Sequence, residues 1–248
     1  MMIYSSAIAL IAIVAYRFKS LTGLGALTAF LIGVLIAYFF EVQGLIILAL
    51  FFITSTVLGR LKASSFTREK EQRTSLQVLA NGGVAAVAAL LVPFFGDIAV
   101  YLFLASLAAA TSDTWATEIG RRYGGKPFHL RQISKDEIGR SGAMTIIGTI
   151  ASLAGSFLIA IAGFALFSLP AISIVIITLA GFIGAFIDTV VGAFIQEERR
   201  CVVCGDLTED KHHCERQTVF GRGVPKITNN VVNFICTSSA ALITLLFV

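Results

Sequence analysis

Two aspartates lie inside long apolar runs: Asp113 in Ala110-Thr-Ser-Asp-Thr-Trp-Ala-Thr-Glu118 and Asp188 in Gly184-Ala-Phe-Ile-Asp-Thr-Val-Val-Gly192. A carboxylate held away from water needs a counter-charge or a proton. No Lys or Arg falls within any of the apolar runs. A divalent cation is the economical partner, because Mg²⁺ takes carboxylate and phosphate oxygens together. Glu118 follows closely and joins Asp113 and Asp188 as a Mg²⁺ ligand candidate. Carboxamides accompany the acids. Asn81 stands near the start of one apolar run, and Asn229, Asn230 and Asn233 open the last one. Asn229 alone would suit a helix cap. Asn230 and Asn233, three apart on one helical face, fit better as ligand or metal-shell groups.

Two further clusters carry chemistry. The segment from Gly120 to Gly142 holds six basic residues: Arg121, Arg122, Lys126, Arg131, Lys135 and Arg140. Its glycines permit close backbone approach to phosphate, its arginines supply paired donors, and a helix start near Ser141 would aim N–H groups at an anion. Downstream, Cys201-Val-Val-Cys204-Gly is followed by His212, His213 and Cys214. A C-x₂-C pair with a nearby Cys and His fits tetrahedral Zn²⁺. The expected ligands are Cys201, Cys204, Cys214 and one His, with His213 preferred. Such a structural zinc would hold a loop carrying Arg216, Arg222 and Lys226 over the active site. Cys236 reads as a packing residue. The charged segment from Arg60 to Arg73 reads as a solvated surface loop.

These residues must be positioned by membrane helices. Of the 248 residues, 56% are hydrophobic and 14% charged, and the mean hydropathy is +0.86. A soluble domain carries about a quarter charged residues. That composition excludes an ordinary soluble enzyme, a disulfide scaffold, a coiled coil and a disordered chain. Apolar stretches cover roughly 2–16, 21–40, 44–59, 76–95, 97–117, 141–168, 170–195 and 228–247. The first reads as an anchor rather than a cleaved signal. All 19 Lys and Arg fall on the odd-numbered connections between these stretches, as 2, 5, 6 and 6. This alternation places those connections in the cytoplasm. The fold expected is therefore all-α: one polytopic membrane bundle over 1–248 with about eight transmembrane helices and a small cysteine-rich cytoplasmic loop at 196–227. The net charge of +4 matches anionic lipid and topology better than a nucleic-acid partner.

Helical neighbours four apart share a face. From Asp113 these are Ala105, Ala109 and Thr117; from Asp188, Gly184 and Gly192. Small residues let membrane helices approach closely. Each Asp thus points into the bundle, and four helices bring acids or amides to one depth near the cytoplasmic rim. The residues alone predict a metal-and-phosphate site at that rim.

The order of acid, glycine-basic loop and Ser134-Lys-Asp-Glu-Ile-Gly139 resembles the nucleotide signature of membrane CTP:phosphatidate cytidylyltransferases and polyprenol kinases. A similarity covering almost the whole chain is carried by Asn81-Gly-Gly-Val84, Ser112-Asp-Thr-Trp-Ala-Thr-Glu-Ile-Gly120, Gly184-Ala-Phe-Ile-Asp-Thr-Val-Val-Gly-Ala-Phe-Ile-Gln196 and Thr228-Asn-Asn-Val-Val-Asn233. These resemble the integral-membrane family that contains the chloroplast phytyl-phosphate kinase. The resemblance implies phosphoryl transfer from CTP, or another nucleoside triphosphate, to a prenyl monophosphate such as phytyl or geranylgeranyl phosphate. Asp113, Asp188 and Lys135 would then be catalytic. Asn81, Arg121, Arg122, Lys126, Arg140, Asn229, Asn230 and Asn233 would join Lys135 in binding nucleotide and phosphate. Two other functions compete: a cytidylyltransferase making a CDP-lipid, and a secondary transporter or lipid flippase. Transporter sites lie near the bilayer midplane rather than at its rim.

Overall fold

A computed structural model describes residues 2–60, 72–131 and 142–248. Among these residues seven helices form: α1 (Met2–Arg17), α2 (Gly23–Arg60), α3 (Ser75–Phe95), α4 (Asp97–Tyr123), α5 (Ile146–Phe167), α6 (Ile172–Phe194) and α7 (Asn229–Thr244). Five of them, α2 to α6, are long and apolar enough to cross a membrane. Their outward faces carry large apolar side chains, such as Leu31 (59% exposed), Phe94 (78%) and Ile150 (65%). Aqueous solvation of such a surface is unfavourable, and lipid is its natural surroundings. The protein is a multi-pass membrane protein.

Seven helices is one fewer than the eight expected stretches because α2 spans both 21–40 and 44–59, two helices joined across one non-helical residue, Glu41. The 38 residues of α2 would extend about 57 Å if straight, nearly twice the hydrocarbon core. They are not straight. Glu41 sits at φ 51°, ψ −145°, and a Cβ on Gly44 would lie 2.8 Å from Ile36 Cγ2. Residues eight apart in a straight helix are separated by about 12 Å, so the chain folds back at Glu41. The far end confirms the reversal: Arg60 donates to the Phe18 carbonyl (3.0 Å) and to Ser20 Oγ (2.6 Å), just before α2 begins.

The helix ends follow local chemistry. Thr74 and Gln77 form a capping box that starts α3 (Thr74 N–H to Gln77 Oε1 2.9 Å; Gln77 N–H to Thr74 Oγ1 3.4 Å). Thr145 caps α5 by accepting from Gly148 N–H (3.0 Å). Gly96 alone joins α3 to α4, at φ +50°, a backbone region that costs a glycine little. At its other end α4 runs on to Tyr123, six residues past the expected limit of 117. Arg121 and Arg122 therefore form its last turn instead of a loop, where cations complement the helix dipole.

α4 is the axis of the bundle. Phe103, Leu104, Ala105, Ser106, Leu107, Ala108, Ala109, Ala110, Thr111 and Ser112 are all buried, and Phe103 stacks on Phe40 with ring centroids 4.4 Å apart. Short strands cover one end: β1 (Phe128–His129) pairs with β2 (Ala143–Met144), and the segment between α6 and α7 carries β3 (Glu198–Arg200), β4 (Leu207–Thr208), β5 (His212–His213), β6 (Arg216–Gln217) and β7 (Val219–Arg222). β4, β3 and β7 make an antiparallel three-stranded sheet, and β5 and β6 a hairpin.

Candidate functional site

The two intramembrane acids meet because α4 and α6 pack through small residues. A Cβ on Gly184 of α6 would lie 3.1 Å from Ala109 Cβ of α4, 2.8 Å from the Cys236 carbonyl of α7 and 3.0 Å from Ala240 Cβ. One turn further along each helix stand Asp113 and Asp188. α7 runs the opposite way, so its residues at that depth are Asn233 and Asn229. With its amide nitrogen facing the carboxylate, Asn233 donates to Asp188 Oδ2 (3.2 Å) and to the Asn229 carbonyl (3.1 Å); the other orientation would set oxygen against oxygen. α3 is tied to the same level: Thr237 Oγ1 donates to the Ala80 carbonyl (3.1 Å), and Asn81 Nδ2 to the Gln77 carbonyl (3.0 Å).

α5 closes the fourth side. Gly148 approaches Gly120 of α4 so closely that a Cβ on it would lie 2.8 Å from the Ala116 carbonyl and 3.3 Å from Gly120 Cα. One turn deeper, Ser112 Oγ bonds the Ser152 carbonyl (2.8 Å) and hydroxyl (2.7 Å). Trp115 Nε1 reaches Thr54 Oγ1 (3.3 Å) in the second arm of α2. These bonds fix the rotation of α4, and with it the direction of Asp113.

The result is a cavity of about 530 Å³ at one end of the bundle. Of the residues singled out in the sequence, Asn81, Asp113, Glu118, Arg121, Asp188, Asn229 and Asn233 line it. Asn230 does not. The amide pair at the cavity is Asn229 with Asn233, four apart, rather than Asn230 with Asn233, because Thr228 rather than Asn229 caps α7 and the turn that follows aims Asn229 inward. Arg122 also lies outside the lining, with its Nε donating to Tyr123 Oη (2.7 Å). Lys126 is exposed and not itself a lining residue, although its neighbours Gly125 and Pro127 are. Lys135 and Arg140 fall outside the described residues.

Several lining residues had not been singled out for the site. Arg73, read as part of a surface loop, reaches the cavity because its backbone is clamped against residues 20–22 (Arg73 N–H to Ser20 O 3.1 Å; Thr22 N–H to Arg73 O 3.1 Å). Burial pushes its pKa down, while the Glu118 carboxylate acts the other way. Gln77, Thr114, Thr117 and Thr149 add neutral polar atoms. The capping box before Asn81 was the one available signal that Arg73 and Gln77 stand at the same rim.

The loop between α6 and α7 contributes with the sign opposite to that expected. Its Arg216, Arg222 and Lys226 do not line the cavity; Glu198, Thr208, Glu209 and Asp210 do. Arg222 is drawn into an ion pair with buried Glu198, across the β3–β7 pairing. Among the described lining residues the acids are thus Asp113, Glu118, Asp188, Glu198, Glu209 and Asp210, against Arg73 and Arg121. A partly buried wall with that excess of hard oxygens suits divalent cations and what they carry. Asp113 and Asp188, from α4 and α6, and Glu118 are the lining acids that could hold such a cation; among the described residues the three carboxylates do not stand gathered as a ready-made metal cluster.

Beyond the sheet, Cys201 Sγ, Cys204 Sγ, Cys214 Sγ and a ring nitrogen of His213 lie within 4.8 Å of one another. The four residues are those expected from spacing, and His213 rather than His212 joins the cysteines. Cys201 is buried and its thiol is pushed down to about 6, chiefly by the Cys204 backbone amide.

Among the known proteins similar to this chain are two described only as uncharacterised membrane proteins. A membrane protein of Methanocaldococcus jannaschii is 32% identical over 195 residues, covering 77% of this chain and 81% of that one. One from Synechocystis is 32% identical over 191 residues, covering 73% and 74%. The chloroplastic protein VTE6 of Arabidopsis thaliana is 25% identical over 190 residues, covering 72% of this chain and 57% of its own. No solved structure matches. The match to one family runs from residue 6 to residue 241 and takes in every element of the cavity: this chain belongs to the family described as integral membrane protein DUF92.

Proposed function

We propose that this protein is a prenyl-phosphate kinase, moving the γ-phosphoryl group of CTP, or another nucleoside triphosphate, onto a prenyl monophosphate at the cytoplasmic rim of the membrane. The observation that carries the reading is the convergence of Asp113, Asp188, Asn81, Asn229 and Asn233 from four helices on one cavity open at the end of a lipid-embedded bundle. The motif resemblance to the family of the chloroplast phytyl-phosphate kinase points the same way. So does Phe186, which lines the cavity while 44% exposed and so could border a lateral way out to lipid. An isoprenoid tail would leave past Phe182 and Phe186 into the bilayer, with its phosphate kept at the polar rim.

In the transfer, an oxygen of the acceptor phosphate bonds to the γ-phosphorus. The bond to the β–γ bridging oxygen breaks, and a nucleoside diphosphate leaves. Asp113 and Asp188, with Glu118, would hold Mg²⁺, which when bound would supply charge neutralisation for the triphosphate. Asn233 fixes the Asp188 carboxylate through its amide. Arg121 and Arg73 line the cavity and would donate to the transferred group; Lys135 lies outside the described residues and keeps only the catalytic role that the motif resemblance implies. Phosphoryl transfer is largely positioning and electrostatics. The acceptor phosphate is already ionised near neutrality, so no strong base is required.

The test is incubation of purified protein with Mg²⁺, γ-labelled CTP, ATP or UTP, and a panel of prenyl alcohols and monophosphates. Label in a prenyl diphosphate, with nucleoside diphosphate formed one for one, is the expected result. Label released as pyrophosphate would instead make the protein a cytidylyltransferase, and no turnover of any nucleotide would contradict both.

A further inference from the structure

We propose that Cys201, Cys204, His213 and Cys214 bind one Zn²⁺, and that this ion holds the acidic wall formed by Glu209 and Asp210 in place at the cavity. The site stands independently of the reaction proposed above.

The geometry is that of a tetrahedral metal site. With Zn–S at about 2.3 Å and Zn–N at about 2.05 Å, the S···N edge of a tetrahedron is about 3.5–3.6 Å. His213 Nδ1 lies 3.5 Å from Cys204 Sγ and 3.3 Å from Cys214 Sγ. A neutral imidazole nitrogen has either one lone pair or one proton, so it cannot satisfy two thiols at once; one metal ion satisfies all three. Cys201 Sγ accepts from Val203 N–H (3.4 Å), the kind of amide–sulfur bond that steadies a thiolate ligand. The turn that brings Cys204 back is closed by Gly205 N–H to the Cys201 carbonyl (3.1 Å) with Gly205 at φ +79°. On the other side, Cys214 and Glu215 form the two-residue connection of the β5–β6 hairpin, both at positive φ (51° and 59°). Non-glycine residues hold that conformation only where their surroundings enforce it.

The ion would close the loop from Cys204 to His213. Its tip, Leu207-Thr208-Glu209-Asp210, is the part that lines the cavity. Within the loop Asp210 N–H donates to Thr208 Oγ1 (3.2 Å), and Thr218 Oγ1 donates to the Asp210 carbonyl (2.7 Å). Those bonds shape the tip, and the metal fixes its two ends. Removing the ion would return to the chain the loop-closure entropy that binding had removed.

Elemental analysis of the detergent-purified protein should find one zinc per chain. After chelation, added Co²⁺ should give the ligand-field and thiolate charge-transfer absorption of a tetrahedral site. Cys204→Ser and Cys214→Ser should lose the metal, while His212→Ala and Cys236→Ser retain it. In the wild-type chain, chelation should speed hydrogen exchange over 205–219 by on the order of 100-fold or more and leave α4 and α6 protected. This readout needs neither a variant nor any enzymatic activity. A wild-type protein that takes up Zn²⁺ and Co²⁺ no better than Cys204→Ser would overturn the metal site. Unchanged exchange at 205–219 after the metal is gone would overturn its role in holding the wall.

Discussion

Among single residues, the hard oxygens of Asp113 and Asp188 stand out, placed where water is scarce. Asp113 and Asp188 were legible from the sequence because each sits four residues from a small one, and that spacing predicts a packing face. Ala109 and Gly184 do touch, and the acids follow one turn on. Glu209 and Asp210 were not legible as cavity residues, because a short sheet with long-range pairing carries them there. No local periodicity announces such a placement. The Asp188–Asn233 bond gives a prediction. Asn233→Ala leaves Asp188 without its amide donor, so half-saturation by Mg²⁺ should rise by ~10- to 100-fold, the usual cost of losing a supporting partner behind a metal ligand. Initial rates of phosphoryl transfer across a Mg²⁺ series measure this, and an unchanged dependence would remove Asn233 from the metal shell.

At the scale of elements, backbone approach decides the site. Gly184 is crowded by α4 and α7, whereas nothing lies within 4 Å of a Cβ on Gly83 in α3. Alanine is favoured over glycine within a helix by about 1 kcal/mol. Gly83→Ala should therefore raise the thermal midpoint slightly. Gly184→Ala gains the same propensity but puts a methyl group 2.8 Å from the Cys236 carbonyl, and overpacking of that kind costs about 1–3 kcal/mol. It should lower the midpoint. Thermal unfolding of the two variants in detergent compares them directly, and equal midpoints would mean that α4, α6 and α7 have room to spare. Hydrophobic runs located the helices well, including the break between 21–40 and 44–59. The reversal there is a single non-helical residue, Glu41, with no proline or glycine at the turn itself. α4 outran its apolar stretch because charged residues continue a helix readily at its C-terminal end.

As a whole molecule, the protein has one end unlike the other. The cavity is walled at one end of the bundle by the C-terminal parts of α4 and α6, the acidic residues of the loop that carries the cysteine cluster, and Arg73, and in the sequence all 19 Lys and Arg fall on alternate connections. From that alternation the positive-inside rule predicts an orientation. Asp97→Cys, at the first residue of α4, and Lys126→Cys, just beyond its other end, should therefore react with a membrane-impermeant maleimide from opposite sides: Asp97→Cys in intact cells, Lys126→Cys only after lysis. Labelling of both from one side would refute the orientation. The central claim concerns what the cavity does, and the two aspartates test it most directly. Wild-type, Asp113→Asn and Asp188→Asn proteins, matched for thermal midpoint and helix content, should be given γ-labelled CTP, Mg²⁺ and the prenyl monophosphate accepted by the wild type. The account predicts label in the prenyl diphosphate for the wild type and a loss on the order of 100-fold or more in each variant, the scale of removing one preorganised electrostatic group. Wild-type rates in either variant would contradict it.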